Sequence, residues 1–229
     1  MCYTARIQLP DAYTFSFEYI QTWERVSPYR ELAQVNAMAR PVVPVLTMES
    51  PRRFTPMRWL MVPPWIDRSD KFRELKIWTA NARIEDLEQK KLYGSLTSTN
   101  RCLVLFAGFY EWRHEENGSK TKYYLTLPEG APMFLPGLYR TGQIDGEPYT
   151  SCSVCTMEAR NVMRYIHNNA LRQPVVVDYG DTEDHRSSGS VWLDPSVPLA
   201  EARQSVLDGE RSAEFEPSPA VTGGQQSFF

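Results

Sequence analysis

Short apolar or alternating runs of residues, separated by turn residues, dominate the chain and predict β-strands. The predicted strands are 41–47, 57–62, 101–113, 123–127, 133–139, 149–156 and 174–177. Turn signals at 116–119 and 145–146 separate neighbouring strands, as in hairpins. Residues 81–96 and 158–168 instead have helical character. The pattern therefore predicts an α+β fold built on a mostly antiparallel sheet with a few helices.

The composition is that of an ordinary globular protein. Of the 229 residues, 42% are hydrophobic and 23% are charged, and no apolar run approaches the ~20 residues that span a bilayer. These values exclude membrane-spanning, collagenous, coiled-coil and disordered chains. Residues 1–4 lack the features of a secretory signal, and four cysteines are too few for a disulfide scaffold, so we expect a cytoplasmic protein. Residues 207–229 are rich in Glu, Ser, Pro, Gly and Gln, which predicts a mobile acidic tail after a single domain over 1–206.

Charge is unevenly distributed along the chain. Residues 1–177 hold 22 basic against 18 acidic residues, whereas residues 178–229 hold 3 against 10. A mildly basic face beside aromatic residues such as Trp59, Trp65 and Trp112 would suit single-stranded nucleic acid. An ordinary solvated surface has the same composition and stays open as the alternative.

Cys2 has the most distinctive chemistry of any residue in the chain. A small residue after the initiator favours removal of Met1, which would leave an N-terminal cysteine carrying both an α-amine and a thiol. Ordinary pKa values of roughly 8 for the amine and 8.5 for the thiol make both groups nucleophiles near neutral pH. Such an aminothiol reacts with an aldehyde to an imine and then closes to a five-membered thiazolidine. The alternative is that position 2 merely begins a buried first strand.

Three further polar residues are candidates for chemistry. His167 ends the predicted helix over 158–168 and could be a general acid or base, or a satisfied helix-terminal residue. Glu111 lies in an apolar strand, where period-2 alternation puts it on one face with Phe109. A carboxylate among aromatic residues is paired, protonated or catalytic. Asn81 could cap the helix predicted after it, or form hydrogen bonds as a functional residue that does not titrate.

The remaining cysteines indicate packing rather than metal binding. Cys152 and Cys155 form a single C-x-x-C, without a second pair or a nearby histidine, and this is weak evidence for zinc. Residues three apart in a strand face opposite sides, so the two sulfurs should not converge. Cys102 also has a core-like setting. We therefore expect buried thiols and no bound metal.

Taken together, the ordered motifs make the chain resemble the SRAP (SOS-response-associated peptidase) family, whose members crosslink to abasic sites in single-stranded DNA. The resemblance extends from Met1 to about residue 193, most of the chain. Its most specific element is the segment 101–112; the other elements are 58–65, Asn81-Ala-Arg83, Pro136-Gly-Leu-Tyr139, 155–159, Ile166-His167 and 172–176. The resemblance implies the family's fold, with a barrel-like antiparallel core.

Four departures from the family pattern concern DNA contact more than chemistry. Tyr3-Thr4 replaces the common Gly-Arg after the cysteine, Leu60 replaces the glycine of a Trp-Gly motif, and Gln173 replaces a Met or Arg. Residues 168–171 lengthen the usual spacing after His167. An expected basic contact beside the amino terminus would therefore be missing.

The resemblance implies a protein that senses abasic sites in single-stranded DNA. Cys2 would attack the ring-opened aldehyde and form a thiazolidine crosslink that shields the lesion. Asn81 would orient the N-terminal residue, while Glu111 and His167 would move protons. The same four residues could remove Met1 autocatalytically, which is the origin of the word peptidase, and the imine would permit weak strand cleavage by a lyase reaction.

The resemblance also implies a set of DNA contacts and partners. Phosphates and bases would be held by Arg83, Trp65, Thr156 and Arg172, with Trp59 as a further aromatic candidate. The chemistry needs no cofactor and no metal, and no membrane partner is implied. We expect a monomer in the cytoplasm that is associated with the nucleoid when bound to DNA.

Two alternatives from other functional classes stay open. One is a cysteine peptidase that uses Cys2 and His167 on protein substrates, and the other is a non-covalent single-stranded DNA-binding module. A peptidase would cut added peptides and be indifferent to DNA. A binding module would keep its DNA affinity after Cys2→Ala and would form no heat-stable adduct.

Overall fold

The computed structural model describes residues 3–7, 32–180, 182 and 185–220. The strands are β1 (Thr4–Ile7), β2 (Leu32–Asn36), β3 (Val42–Thr47), β4 (Thr55–Trp59), β5 (Asn81–Arg83), β6 (Arg101–Phe106), β7 (Gly108–His114), β8 (Lys120–Thr126), β9 (Met133–Ile144), β10 (Glu147–Glu158), β11 (Arg172–Pro174) and β12 (Glu216–Pro219). The α-helices are α1 (Ser69–Arg73), α2 (Asn161–Ile166), α3 (Ser188–Leu193) and α4 (Leu199–Asp208). Short 3₁₀ segments lie at Ala37–Ala39, Ile77–Ala80, Ile84–Gln89, Gly94–Leu96, Pro128–Gly130 and Ser212–Glu214.

Five strands of the larger sheet close into a barrel. This sheet runs β11-β10-β4-β3-β6-β9, and β9 pairs again with β10, so the ring from β10 to β9 has no free edge. Most of its pairings are antiparallel, whereas β4 and β5 run parallel to β10. The predicted α+β fold with a barrel-like, mostly antiparallel core is confirmed.

The second sheet has the strand order β12-β8-β7-β1-β2. Its strand β7 directly follows β6 of the barrel in the sequence. Sequence analysis predicted one strand over 101–113, but the strand breaks at Ala107, between β6 and β7. A Cβ on Gly108 would lie 2.6 Å from the backbone oxygen of Leu125, so only glycine permits this approach of β7 to β8. The break carries Glu111 out of the barrel and onto the sheet that contains β1.

Alternate side chains of β10 pack into two separate clusters of buried apolar residues. Cys152 and Val154 belong to one cluster of buried residues, whereas Cys155 and Met157 belong to the other. The predicted divergence of the two cysteine sulfurs is confirmed, because they point to opposite faces of the same strand.

The helix predicted over 81–96 is wrong. Its first residues form β5, paired in parallel with β10, and 3₁₀ turns follow, with a break at Asp86 (φ −131°, ψ 25°). Ile84 and Leu87 are fully buried, so packing against the barrel overrides the helix propensity of the segment. Asn81 therefore begins a strand instead of capping a helix.

The tail predicted from residue 207 is wrong as far as residue 220. The end of α4, a 3₁₀ turn and the edge strand β12 occupy this segment. Phe215 anchors it, because this ring is buried with its centroid 5.4 Å from that of Phe109. Composition misled here because an edge strand tolerates proline and polar residues once a single apolar residue fixes it. Residues 221–229 lie outside the described residues, and for them the tail stays a prediction.

Candidate active site

Glu111 is a buried carboxyl group on β7. Burial raises its pKa from the ordinary value near 4.5 to about 7. The expected alternation holds, because Phe109 and Glu111 are buried whereas Tyr110 and Trp112 are partly exposed. A carboxyl group with a pKa near 7 exchanges protons readily at neutral pH, so Glu111 is suited to general acid or base work.

His167 places its imidazole against this carboxyl group. The residue follows the last turn of α2, and its backbone (φ −93°, ψ 51°) ends the helix. Its Nε2 lies 3.8 Å from Oε2 of Glu111. Burial lowers the pKa of His167, because the charged imidazolium loses solvation. Burial thus disfavours the charged form of each group, which argues against a permanent ion pair between them.

The second imidazole nitrogen fixes the tautomer of His167. Its Nδ1 lies 2.5 Å from the carbonyl oxygen of Arg172. A carbonyl oxygen only accepts hydrogen bonds, so Nδ1 carries the proton of the neutral ring. Nε2 therefore presents its lone pair toward Glu111 and can accept a proton from the carboxyl group or from a substrate.

Asn81 is buried at the start of β5, on the barrel. Its strand pairs in parallel with β10, opposite Val154, and its backbone carbonyl accepts a hydrogen bond of 3.1 Å from the Tyr93 hydroxyl. Of the four predicted catalytic residues, the structure brings Glu111 and His167 into contact. The convergence of Asn81 on this pair stays a prediction. Cys2, the fourth predicted catalytic residue, lies outside the described residues.

Two of the five predicted DNA contacts are accessible. Arg83 lies two residues after Asn81 on the same side of β5, and its side chain is 59% exposed. Trp65 is 52% exposed, and Nζ of Lys91 lies 5.6 Å from its ring centroid. Both side chains can therefore reach a nucleic acid strand.

The other three predicted DNA contacts are already engaged within the fold. Trp59 is wholly buried and donates its indole N–H to the carbonyl of Ala80 at 3.1 Å, so the prediction that it stacks on bases is wrong. Thr156 is also wholly buried on β10, so the prediction that it contacts DNA is wrong for the same reason. Arg172 pairs through both Nη atoms with Glu85, at 2.7 and 2.9 Å, and its charge is thereby neutralised.

Sequence reasoning missed two exposed aromatic side chains. Trp78, three residues before β5, is 66% exposed, and Tyr165, two residues before His167, is 54% exposed. A cation lies over each ring: Lys76 Nζ is 5.0 Å from the Trp78 centroid, and the Arg113 guanidinium carbon is 3.7 Å from that of Tyr165. Each of these aromatic residues lies two or three positions before a candidate catalytic residue and outside any regular apolar pattern. That position was the signal available in the sequence.

The thiols of β6 and β10 have no access to solvent. Cys102, Cys152 and Cys155 are buried free cysteines, and burial raises the pKa of each thiol. Among the described residues, no group of three histidine, cysteine or acidic side chains is placed to hold a metal ion. Within the same ranges, every helix is too short or too polar to cross a membrane.

Glu111→Gln is expected to stabilise the protein at high pH. A folded-state pKa raised from 4.5 to about 7 means that ionisation of Glu111 costs stability progressively as the pH rises from about 4.5 through 7. At about 1.4 kcal/mol per pKa unit, the neutral amide should raise the free energy of unfolding by about 3 kcal/mol at pH 8 and by little at pH 4. Urea unfolding at both pH values measures this, and equal effects at the two would contradict the raised pKa.

Comparison with known proteins places this chain in a family. The family model of SOS response associated peptidase (SRAP) matches residues 1–222. Abasic site processing protein YoaM of Bacillus subtilis is 26% identical over 172 residues, which cover 75% of this chain and 70% of YoaM. Abasic site processing protein HMCES of Gallus gallus is 28% identical over 190 residues, which cover 73% of this chain and 53% of HMCES. The chain thus spans about half the length of the vertebrate relative.

A solved structure shares the fold. The crystal structure of a protein from Bacteroides thetaiotaomicron superimposes with a TM-score of 0.79 at 22% identity, and the match covers 96% of this chain and 93% of that one. The family match itself spans the strands and loops that carry Asn81, Glu111 and His167. The resemblance predicted from ordered motifs is confirmed: the chain belongs to the SOS response associated peptidase family.

Proposed function

We propose that this protein recognises an abasic site in single-stranded DNA and captures it covalently through an N-terminal Cys2. The observation that carries the proposal is the buried pair of Glu111 and His167, 3.8 Å apart, in which Glu111 lies on the strand that pairs with β1. Two relatives are named abasic site processing proteins, which supports the choice of substrate.

The register of β1 on β7 supports a reactive amino terminus at this pair. Thr4 lies opposite Tyr110, so the register carried one residue further sets Tyr3 opposite Glu111. Neighbouring Cα atoms are about 3.8 Å apart, and we therefore propose that the free α-amine at position 2 acts beside Tyr3 and Glu111. The amine and thiol of Cys2 would then react within reach of both proton-transfer groups.

The proposed reaction releases one water and no other leaving group. After loss of Met1, the α-amine adds to the aldehyde carbon of the ring-opened sugar, and the resulting hydroxyl leaves as water to give an imine. Protonated Glu111 would supply the proton that this hydroxyl needs, and Nε2 of His167 would accept a proton from the attacking amine. The thiol of Cys2 then adds to the imine carbon, and its proton passes to the nitrogen as the thiazolidine closes.

The accessible aromatic and basic side chains would bind the DNA strand. The segments that carry Trp65 and Trp78 are joined by a hydrogen bond of 3.1 Å from the Met61 amide to the Thr79 carbonyl. Stacking of a base on an aromatic side chain is worth about 1–3 kcal/mol. Arg83, on the strand that follows Trp78, would contact a phosphate.

The same groups would serve two minor reactions. Autocatalytic removal of Met1 would expose the amine, and β-elimination from the imine would give weak strand cleavage. We place this activity in the cytoplasm, at the nucleoid, and in a monomer.

A denaturing gel tests the proposal. The protein is incubated with a single-stranded oligonucleotide that contains one abasic site, and with the intact oligonucleotide of the same sequence as the control. We expect a heat-stable, slower band with the abasic oligonucleotide alone. Equal binding to both without an adduct would indicate a non-covalent DNA-binding module, and cleavage of added peptides without any effect on DNA would indicate a cysteine peptidase. Either result would contradict the proposal.

A further inference from the structure

We propose that Asn168 is a positioning residue for this site: its carboxamide closes the edge of β7 with which β1 pairs, and it holds His167 against Glu111. The effect on reaction rate rests on the proposed function. The effect on the imidazole concerns the fold alone and is tested separately.

The side chain of Asn168 makes a two-point contact with the end of β7. Its Nδ2 donates to the carbonyl oxygen of His114 at 2.8 Å, and its Oδ1 accepts from the His114 amide at 3.1 Å. A carboxamide offers the same donor and acceptor as a peptide group. Asn168 therefore makes the pair of hydrogen bonds that a neighbouring strand would make at His114. Among the described residues, no strand pairs with β7 at this point.

The contact between Asn168 and His114 lies on the edge of β7 with which β1 pairs. The next amide along the strand, that of Glu115, donates toward β8, to Ser119 at 3.0 Å. Because the backbone groups of successive strand residues point to opposite edges, His114 faces the edge on which β1 pairs. The observed pairing of β1 with β7 runs from Gly108 to Tyr110. Asn168 therefore closes the same edge four residues beyond the last observed pair, about 13 Å along the strand.

A second contact joins the same two elements on the other side of the histidine. Arg113 donates from Nη1 to the carbonyl oxygen of Tyr165 at 2.7 Å, and its guanidinium lies over the Tyr165 ring. Oε2 of Glu115 forms an ion pair with Nε of Arg113 at 3.1 Å. His167 therefore lies between two residues that are both fastened to β7, the strand that carries Glu111.

This arrangement explains the lengthened spacing after His167. Residues 168–171 fold back, so that the Leu171 amide donates to the His167 carbonyl at 3.0 Å, with Leu171 in the left-handed region (φ 49°). The turn brings the carbonyl of Arg172 to Nδ1 of the imidazole. The four residues that depart from the family's spacing thus supply the contact of Asn168 with β7 and the turn that brings the Arg172 carbonyl to the ring.

Asn168→Ala tests the inference, with Asn169→Ala as the matched control, since Asn169 is an exposed neighbour of the same type. At saturating abasic oligonucleotide we expect the rate constant of adduct formation to fall about 10- to 100-fold in Asn168→Ala, because misplacement by about 1 Å can cost about 10²-fold. It should stay within about twofold in the control, and the half-saturating DNA concentration should be unchanged in both. Equal rates in the two variants, or a loss confined to half-saturation, would overturn the inference.

A conservative variant keeps the test decisive if the alanine protein does not fold. Asn168→Asp retains the acceptor for the His114 amide and loses the donor to the His114 carbonyl, so we expect a rate between those of wild type and Asn168→Ala. A wild-type rate in Asn168→Asp would show that the two-point contact is not what positions the imidazole.

An NMR titration of the His167 ring separates this inference from the proposed function, because it needs no DNA. Among the described residues, the titratable groups that face the imidazole are Glu111 and His114, both on β7, and the charge of the chain's N-terminus also lowers the pKa of His167. Release of the loop exposes the ring to water, so we expect the pKa of His167 to rise toward its ordinary value in Asn168→Ala and to stay unchanged in Asn169→Ala. An unchanged pKa in Asn168→Ala would overturn the positioning role. A wild-type protein that forms no adduct would instead contradict the proposed function alone.

Discussion

Cys2→Ala is expected to abolish the heat-stable adduct with abasic single-stranded DNA while DNA affinity stays within about twofold. The variant retains an α-amine, so it can still form an imine, but it has no sulfur to close the thiazolidine. An imine hydrolyses under denaturing conditions, whereas the ring survives. Gel electrophoresis of samples heated with and without prior borohydride reduction measures both species.

Cys2→Ser is the control for this prediction. Its hydroxyl closes the corresponding oxygen ring less favourably, so we expect an adduct that borohydride traps and that heat alone removes. A heat-stable adduct of Cys2→Ala in wild-type yield would show that another nucleophile forms the bond. Loss of the borohydride-trapped species from both variants would show that sulfur, rather than the amine, makes the first bond.

Glu111→Gln and His167→Ala are each expected to slow adduct formation by about 10²–10⁴-fold, the usual contribution of one positioned acid or base. Neither residue is a cation at pH 7.5, since burial lowers the pKa of His167 and the acid is neutral or anionic. Phosphate contacts should therefore survive both changes. Single-turnover rates at saturating DNA, together with binding to the intact oligonucleotide, separate the two effects.

The pH dependence of the rate follows from the same two groups. The acid form of Glu111 is lost as the pH rises through about 7, and the basic form of His167 is lost as the pH falls through its lowered pKa. Deprotonation of the α-amine affects the wild type and Glu111→Gln alike, so the ratio of the wild-type rate to the Glu111→Gln rate should fall as the pH rises through about 7. Equal loss of rate and of binding in either variant, with an unchanged circular dichroism spectrum, would make that residue a binding contact.

Local sequence pattern predicted those parts of the fold that depend on near neighbours. The turn at Asp145 and Gly146, with φ values of 51° and 85°, joins β9 to β10 where the Asp-Gly signal placed a hairpin. Alternation correctly put Glu111 on the same face of the strand as Phe109. These features need only the chain within a few residues of the position.

The features that sequence pattern missed depend on distant segments. Closure of the barrel requires β9 to pair with both β6 and β10, and nothing local in 81–96 shows that this stretch will add β5 beside β10. Trp59 reads as a surface aromatic beside basic residues, but the barrel buries it. The contact between Glu111 and His167 joins residues 56 positions apart in the sequence, and only the family resemblance indicated it.

Mass spectrometry of the proteolysed adduct tests the central claim most directly. Covalent capture through a free N-terminal aminothiol predicts that the DNA remnant is attached to the peptide that begins at Cys2, without Met1. The mass of that peptide should equal the sum of its two parts less one water. A remnant on a lysine or on an internal cysteine, or an adduct on a chain that retains Met1, would contradict the account.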